Sequence, residues 1–200
     1  MIDFTPPPKT HGAYLFDCDG TLADTMPIHY QAWVEAVKAQ GVDIDYSPEL
    51  FYSMAGMTAQ DTVRALNQKF GISLDHEAVG QAKNALYAQR LPIIRPITEV
   101  VAFCQSCLDA GAPVAVVSGS SRTEVTKTLE AIELADKIET LVCQGETSRG
   151  KPHPEPFTHA ADLLKVDYRD CLVLEDSIPC IEGVQSIGMS SILIPNQMLK

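Results

Sequence analysis

Five short apolar runs punctuate the chain, at residues 13–16, 113–117, 140–143, 171–174 and 191–194, and none alternates with polar positions. Runs of this kind predict strands buried on both faces of a parallel sheet. Between them the spacing turns helical. Thr98 stands where a cap belongs for a helix with Val100, Val101, Cys104 and Leu108 on one stripe, ended by Gly111. A second helix is predicted over about 121–133. A third starts at Pro154 with Phe157, Ala160, Ala161 and Leu164 inward, and a fourth follows Ser177 and ends before Gly188. This alternation from residue 97 onward predicts an α/β fold, an open doubly wound parallel sheet with helices on both faces.

Residues 27–92 break the rhythm, since they hold no convincing strand. Ile28, Ala32, Trp33, Ala36 and Val37 form one helical stripe closed by Gly41. Ser47-Pro48-Glu49 and Thr58-Ala59-Gln60-Asp61 are helix starts, the second helix stopping at Gly71, and Asp75 opens another that runs to about Arg90. The expected organisation is therefore a core of residues 1–24 and 94–200 interrupted by a helical cap over 25–93.

Composition narrows the class of partner. The chain has 200 residues, 46% of them hydrophobic, enough for one domain and a modest insertion. A formal net charge of -11 argues against nucleic acid, whose phosphates need a basic face. An anionic small molecule remains possible if a metal ion or a few placed cations receive it. The six cysteines are irregularly spaced and mostly lie in apolar stretches, as Cys104 and Cys107 do, so reduced core thiols are expected. No apolar run approaches the roughly 20 residues of a membrane span. Residues 1–12, with three successive prolines, resemble neither signal peptide nor anchor. The expectation is a soluble cytoplasmic protein with a loose N-terminal arm and no obligate protein partner.

Chemistry concentrates where the strands end, which is where ligands gather in open α/β sheets. The first run gives way to D-C-D-G-T, so Asp17 and Asp19 stand one residue apart beside a glycine that lets the backbone turn away. Like charges a few Å apart repel by about 4 kcal/mol at an effective dielectric near 20, so such a pair calls for a cation or a shared proton. The next strand leads to Ser118-Gly119-Ser120-Ser121 at a helix start, whose free amides favour an anion. The third precedes a loop reaching Gly150-Lys151-Pro152, and the fourth ends in Glu175-Asp176-Ser177. An EF-hand fails, because the glycine sits at the fourth loop position and not the sixth.

These groups together suit phosphoryl transfer through a covalent intermediate. Asp17 would attack phosphorus, and Asp19 would protonate the leaving oxygen and then activate water. Mg²⁺ held by Asp17, the Asp19 carbonyl and Asp176, with Glu175 behind a bound water, would let carboxylate and phosphate approach. Ser118, the Gly119 amide and Lys151 would hold the phosphoryl oxygens.

The ordered set D-C-D-G-T, V-V-S-G-S, G-K-P-H-P-E-P-F and L-E-D-S resembles the four motifs of the haloacid dehalogenase superfamily of phosphohydrolases. The helical insertion after the first motif resembles that superfamily's α-helical cap. More narrowly, His29-x-x-x-Trp33 and Lys83-Asn84 resemble cap positions of the β-phosphoglucomutase-like subgroup, which includes sugar-phosphate phosphatases. In the mutase, the matching His and Lys assist the nucleophile–acid pair and the sugar hydroxyl. Two positions depart from the mutase: Gly56-Met57-Thr58 is followed by Ala59 where the mutase carries an arginine for the distal phosphate, and Thr21 stands in place of its valine. The resemblance thus implies a Mg²⁺-dependent phosphatase acting on a small phosphorylated metabolite, a sugar phosphate. A hexose-phosphate mutase is the alternative enzyme, and a receiver-like phosphoacceptor domain the alternative from another class.

Overall fold

The computed structural model describes residues 4–7, 10–55 and 57–195. Its strands are β1 (Ala13–Phe16), β2 (Val114–Val117), β3 (Thr140–Val142), β4 (Cys171–Glu175) and β5 (Ser190–Leu193). They form one sheet in the order β3-β2-β1-β4-β5, and every neighbouring pair is parallel. Helices α1 (Met26–Ala39), α2 (Pro48–Ser53), α3 (Ala59–Phe70) and α4 (His76–Ala88) lie between β1 and β2 in the chain, followed by α5 (Thr98–Asp109). Helices α6 (Arg122–Ala131), α7 (Glu155–Leu164) and α8 (Ile178–Gln185) complete the set.

Period-two strands explain the two-sided core. Tyr14, Phe16, Val114, Val116, Leu172 and Leu174 face one way, against Val100 and Cys104 of α5 and Val125 and Leu129 of α6. Ala13, Leu15, Ala115, Val117, Cys171 and Val173 face the other, against Phe157, Ala160 and Ala161 of α7 and Cys180 and Val184 of α8. Residues of α1 to α4 and their loops, Trp33, Phe51, Val63, Leu66 and Val79 among them, form a third apolar cluster of their own. No helix among the described residues is long and apolar enough to cross a membrane.

Several expectations need correction. Burial on both faces holds for β1, β2 and β4 but not for β5, whose four residues are half-buried or exposed, because β5 and β3 are the sheet edges. Ile97, not Thr98, is the residue preceding α5, and no side chain caps that helix. The N-terminal arm is not wholly loose. Residues 1–3, 8 and 9 lie outside the described residues, yet the Phe4 ring sits 5.6 Å from that of Phe103, and the Gly12 amide donates to the Asp170 carbonyl at 2.8 Å. Gly56, the glycine marked in the cap, also lies outside the described residues.

Two glycines are required by what approaches them. Gly20 has φ +89°, and a Cβ there would run into the Asp176 carboxylate. At Gly183 of α8 a Cβ would run into the Pro152 carbonyl, so only glycine lets the loop carrying Lys151 lie against that helix. Phe157, fully buried under the same loop, has the Lys151 Nζ 4.9 Å from its ring centroid. Phe157→Ala should therefore lower the free energy of unfolding by about 3–5 kcal/mol in urea titrations, and a loss below about 1 kcal/mol would contradict this packing.

Candidate active site

The chain order of the sheet reverses between β1 and β4, the crevice where open α/β folds collect ligands. Asp17 follows β1, Glu175 ends β4, and the Asp17 amide donates to the Leu174 carbonyl at 2.9 Å across the two strands. Asp17, Asp19, Ser118, Gly119, Lys151, Glu175 and Asp176 line one cavity of about 160 Å³, roofed by His29, Trp33 and Lys83 from the helical insertion. That volume falls below the roughly 300–1,000 Å³ of drug-sized sites, so the cavity suits a small metabolite.

Lys151 ties the two strand ends together. Its Nζ donates to Asp17 Oδ1 at 2.7 Å and to Glu175 Oε2 at 2.7 Å, with all three side chains buried. Glu175 Oε1 accepts the Ser177 amide at 3.0 Å. Asp17, Glu175 and Asp176 each offer an oxygen within 4.8 Å of the others, so Asp17 of the first doublet meets both members of the second. One lysine cannot balance three carboxylates. Burial first, and Glu175 next, push the Asp17 carboxyl up to about 8 despite Lys151. Burial with Glu175 and Asp17 raises Asp176 well above the usual range. Lys151 is raised although burial opposes its charge, because Asp17 and Glu175 outweigh that cost. Asp17 Oδ2 is buried without a partner. An oxygen-rich cluster with an orphaned lone pair fits a hard divalent cation such as Mg²⁺.

Asp19 belongs to a different network. Its Oδ1 accepts Thr25 Oγ1 at 2.7 Å and pairs with His29 Nε2 at 3.1 Å, while Oδ2 accepts Ser120 Oγ at 2.8 Å. Burial works to raise its pKa, but His29 and the hydrogen bonds from His29, Thr25 and Ser120 prevail and hold it well below the usual carboxylate range. His29 is fixed from behind by Tyr87, the two rings stacked 4.1 Å apart at 8°, and Tyr87 shares a 2.7 Å hydrogen bond with Thr128 of α6. Lys83, one turn before Tyr87 on α4, is paired with Glu124 of α6 at 3.1 Å.

A model of the haloacid dehalogenase-like hydrolases matches residues 14–194. The chain belongs to that family. An uncharacterized protein of Haemophilus influenzae is 32% identical over 180 residues, covering 88% of this chain and 86% of the relative. Hexitol phosphatase B of Escherichia coli is 28% identical over 193 residues, covering 94% of this chain and 85% of its own length. The crystal structure of CbbY from Rhodobacter sphaeroides in complex with phosphate superposes with a TM-score of 0.80 at 21% identity, covering 92% of this chain and 86% of that one, a likeness of fold. The superfamily and the α/β fold expected from the four motifs are thus met, and the receiver-like alternative falls. Its strand order would be 2-1-3-4-5, whereas this hydrolase has 3-2-1-4-5.

Within this haloacid dehalogenase-like chain, the structure brings every expected site residue to one cavity but rearranges their partners. The Asp19 carboxylate is taken up by His29 and by three hydroxyls, those of Thr25, Ser120 and, at 3.5 Å, Ser118. Lys151 meets carboxylates, and Ser118 Oγ accepts the Ser120 amide at 3.0 Å. His29 meets Asp19 and Tyr87, while Trp33 lies in the insertion's own cluster and lines the cavity. Sequence reasoning missed Thr25, Tyr87 and Glu124, and gave Ser120, although it lies in the V-V-S-G-S motif, no contact with Asp19. Glu124 left a further signal, since Ser121-x-x-Glu124 is a capping box, and the structure shows both halves of it.

The raised Asp17 carboxyl fixes a sign for stability. Between the unfolded value of 3.8 and about 8, folded Asp17 keeps a proton that the unfolded chain releases, so this group lowers stability as pH rises through that window. In metal-free buffer, Asp17→Asn should melt at a higher temperature than wild type at about pH 8, with the gap shrinking toward about pH 5. Added Mg²⁺ should raise the wild-type midpoint more than that of the variant. Thermal melts at the two pH values, with and without Mg²⁺, check both; identical curves would oppose this placement of charge.

Proposed function

We propose that this hydrolase is a Mg²⁺-dependent phosphatase that cleaves a small sugar phosphate through an aspartyl-phosphate intermediate on Asp17. The observation that carries the reading is the buried, unpartnered Asp17 Oδ2 inside a carboxylate cluster that lines a cavity of about 160 Å³. Phosphatase names among the relatives, hexitol phosphatase B in particular, point the same way. In this reading residues 25–93 act as a cap over a core of 1–24 and 94–200, excluding water and selecting the leaving group.

Mg²⁺ bound by Asp17, the Asp19 carbonyl and Asp176, with Glu175 set behind them, would supply the positive charge that lets an anionic ester approach an anionic nucleophile. The chain's own groups do the rest. An Asp17 carboxylate oxygen attacks phosphorus while the bond to the ester oxygen breaks, and that oxygen leaves with a proton delivered by Asp19. The His29 ring, 3.1 Å from Asp19 Oδ1, is placed to relay that proton through the carboxylate. Asp19 then takes a proton from water, whose oxygen attacks the phosphoryl group and restores Asp17 as inorganic phosphate departs. Ser118, the Gly119 amide and Lys151 hold the remaining phosphoryl oxygens, Lys151 also keeping Asp17 in line.

Charge favours hydrolysis over the mutase alternative. A mutase must hold a bisphosphate, and the basic side chains lining this cavity, His29, Lys83 and Lys151, all have carboxylate partners. Ala59 occupies the position of the mutase's distal-phosphate arginine.

Asp17→Asn should reduce Mg²⁺-dependent phosphate release from p-nitrophenyl phosphate by at least about 10³-fold while leaving the circular dichroism spectrum unchanged. A variant with a tenth of wild-type activity would remove Asp17 as nucleophile. Incubation with β-glucose 1-phosphate and a trace of the bisphosphate should liberate inorganic phosphate; accumulation of glucose 6-phosphate would establish the mutase instead.

A further inference from the structure

Asp17, Asp19, Glu124, Glu175 and Asp176 are the carboxylates that line the cavity, and the mechanism above uses all but Glu124. Glu124 is more than a helix cap. Its Oε2 accepts the Ser121 amide at 3.3 Å and the Ser121 hydroxyl at 2.9 Å, which completes the start of α6. Its Oε1 reaches out of the core to Lys83 Nζ on α4, and the side chains are only 9% and 15% exposed for Lys83 and Glu124. Burial disfavours the Glu124 charge, yet Lys83 and Ser121 prevail and hold its pKa below the usual value.

The pair stands at the Asp19 end of the cavity. Lys83 Nζ lies 5.3 Å from the centroid of the Tyr87 ring, and that ring stacks on His29, the partner of Asp19. This is where the leaving group must sit once phosphorus is at Asp17. A lone lysine here would attract a second anionic group on the substrate. Glu124 removes that attraction by pairing with it, and leaves two hydrogen-bonding groups of zero net charge. Such a pair can hold a hydroxyl from both sides but offers nothing to a carboxylate or second phosphate.

We infer that Glu124 is a specificity-determining residue: by pairing with Lys83 at the leaving-group end, it restricts the substrate to the monophosphate of a neutral polyol and rejects esters bearing a second anionic group. The inference rests on the phosphatase reading and deepens it.

Sorbitol 6-phosphate and 6-phosphogluconate test it, because they differ in charge at one terminal carbon. Each is titrated as an inhibitor of Mg²⁺-dependent p-nitrophenyl phosphate hydrolysis, so neither needs to be turned over. Wild type should bind the neutral ester at least about tenfold more tightly than the acid. Glutamine also serves at the third position of a capping box, so Glu124→Gln should keep the native circular dichroism spectrum, with a lowered melting temperature because Lys83 loses its carboxylate. In that variant the preference should shrink to less than about threefold, chiefly through tighter binding of the acid to the freed Lys83. Adding Lys83→Met should take that gain away. Equal inhibition of wild type by both esters would overturn the inference, and so would a preference that survives Glu124→Gln or a gain that persists without Lys83. Absence of phosphate release from every ester tried would sink the phosphatase reading itself, and this inference with it.

Discussion

Lys151 sharing its ammonium between Asp17 and Glu175 is the contact on which the rest of the site depends. The ends of β1 and β4 lie side by side in parallel register, so the carboxylates that follow Phe16 and Leu174 are forced into one buried space. Without a cation there, burial and mutual repulsion would drive protons onto them or push the strand ends apart. The lysine comes from a distant loop, 134 residues from Asp17 in sequence, and its reach is fixed by packing. Gly183 admits the Pro152 carbonyl, and the Phe157 ring lies under the ammonium. One charge against three is an incomplete neutralisation, and that deficit makes the cluster receptive to a further cation.

A second network does for Asp19 what Lys151 does for Asp17, with the opposite result. Hydroxyls and an imidazole stabilise its charge, so two acids one residue apart are driven in opposite directions, Asp17 up and Asp19 down. This has a structural consequence at the start of α1. Thr25 is the residue that precedes the helix, yet its hydroxyl donates to Asp19 and makes no capping bond. A cap of that kind is worth about 0.5–2 kcal/mol, so helix stability gives way here to orientation of a carboxylate. Because Thr25 and His29 sit where the helical insertion begins, any movement of α1 must also move the groups that polarise Asp19.

The sheet, its flanking helices and the helical insertion were legible because apolar runs and helix stops are local signals. Gly41, Gly71 and Gly111 do take positive φ where helices were expected to stop, and Thr58 and Asp75 do cap theirs. What the chain could not disclose was pairing across long separations. The D-C-D spacing called for a cation or a shared proton, but a motif carries no record of which groups each side chain meets. Thr25 and Ser120 are ordinary hydroxyls until the fold brings both to Asp19. Likewise Lys83 and Glu124 stand 41 residues apart with nothing local to couple them, as do Tyr87 and Thr128. The edge strands misled for a related reason: position in the sheet, with β5 reading Ser-Ser-Ile-Leu, decides exposure.

The paired spacing of those last contacts orders the two ends of the cavity. Lys83 and Tyr87 are one turn apart on α4, Glu124 and Thr128 one turn apart on α6, so the helices meet through two successive rungs. One rung sets an ion pair of no net charge beside the cavity, and the other braces the imidazole that faces Asp19. The lining of the cavity also includes the apolar side chains of Met26, Trp33, Met54 and Met57. A ligand lying across it meets unbalanced negative charge at one end, an apolar wall along its length and balanced polar groups at the other. A phosphate with a bound cation satisfies the first, the C–H face of a sugar the second and a hydroxyl the third. On the proposed phosphatase reading, the charge asymmetry of the cavity would set the direction in which an ester enters.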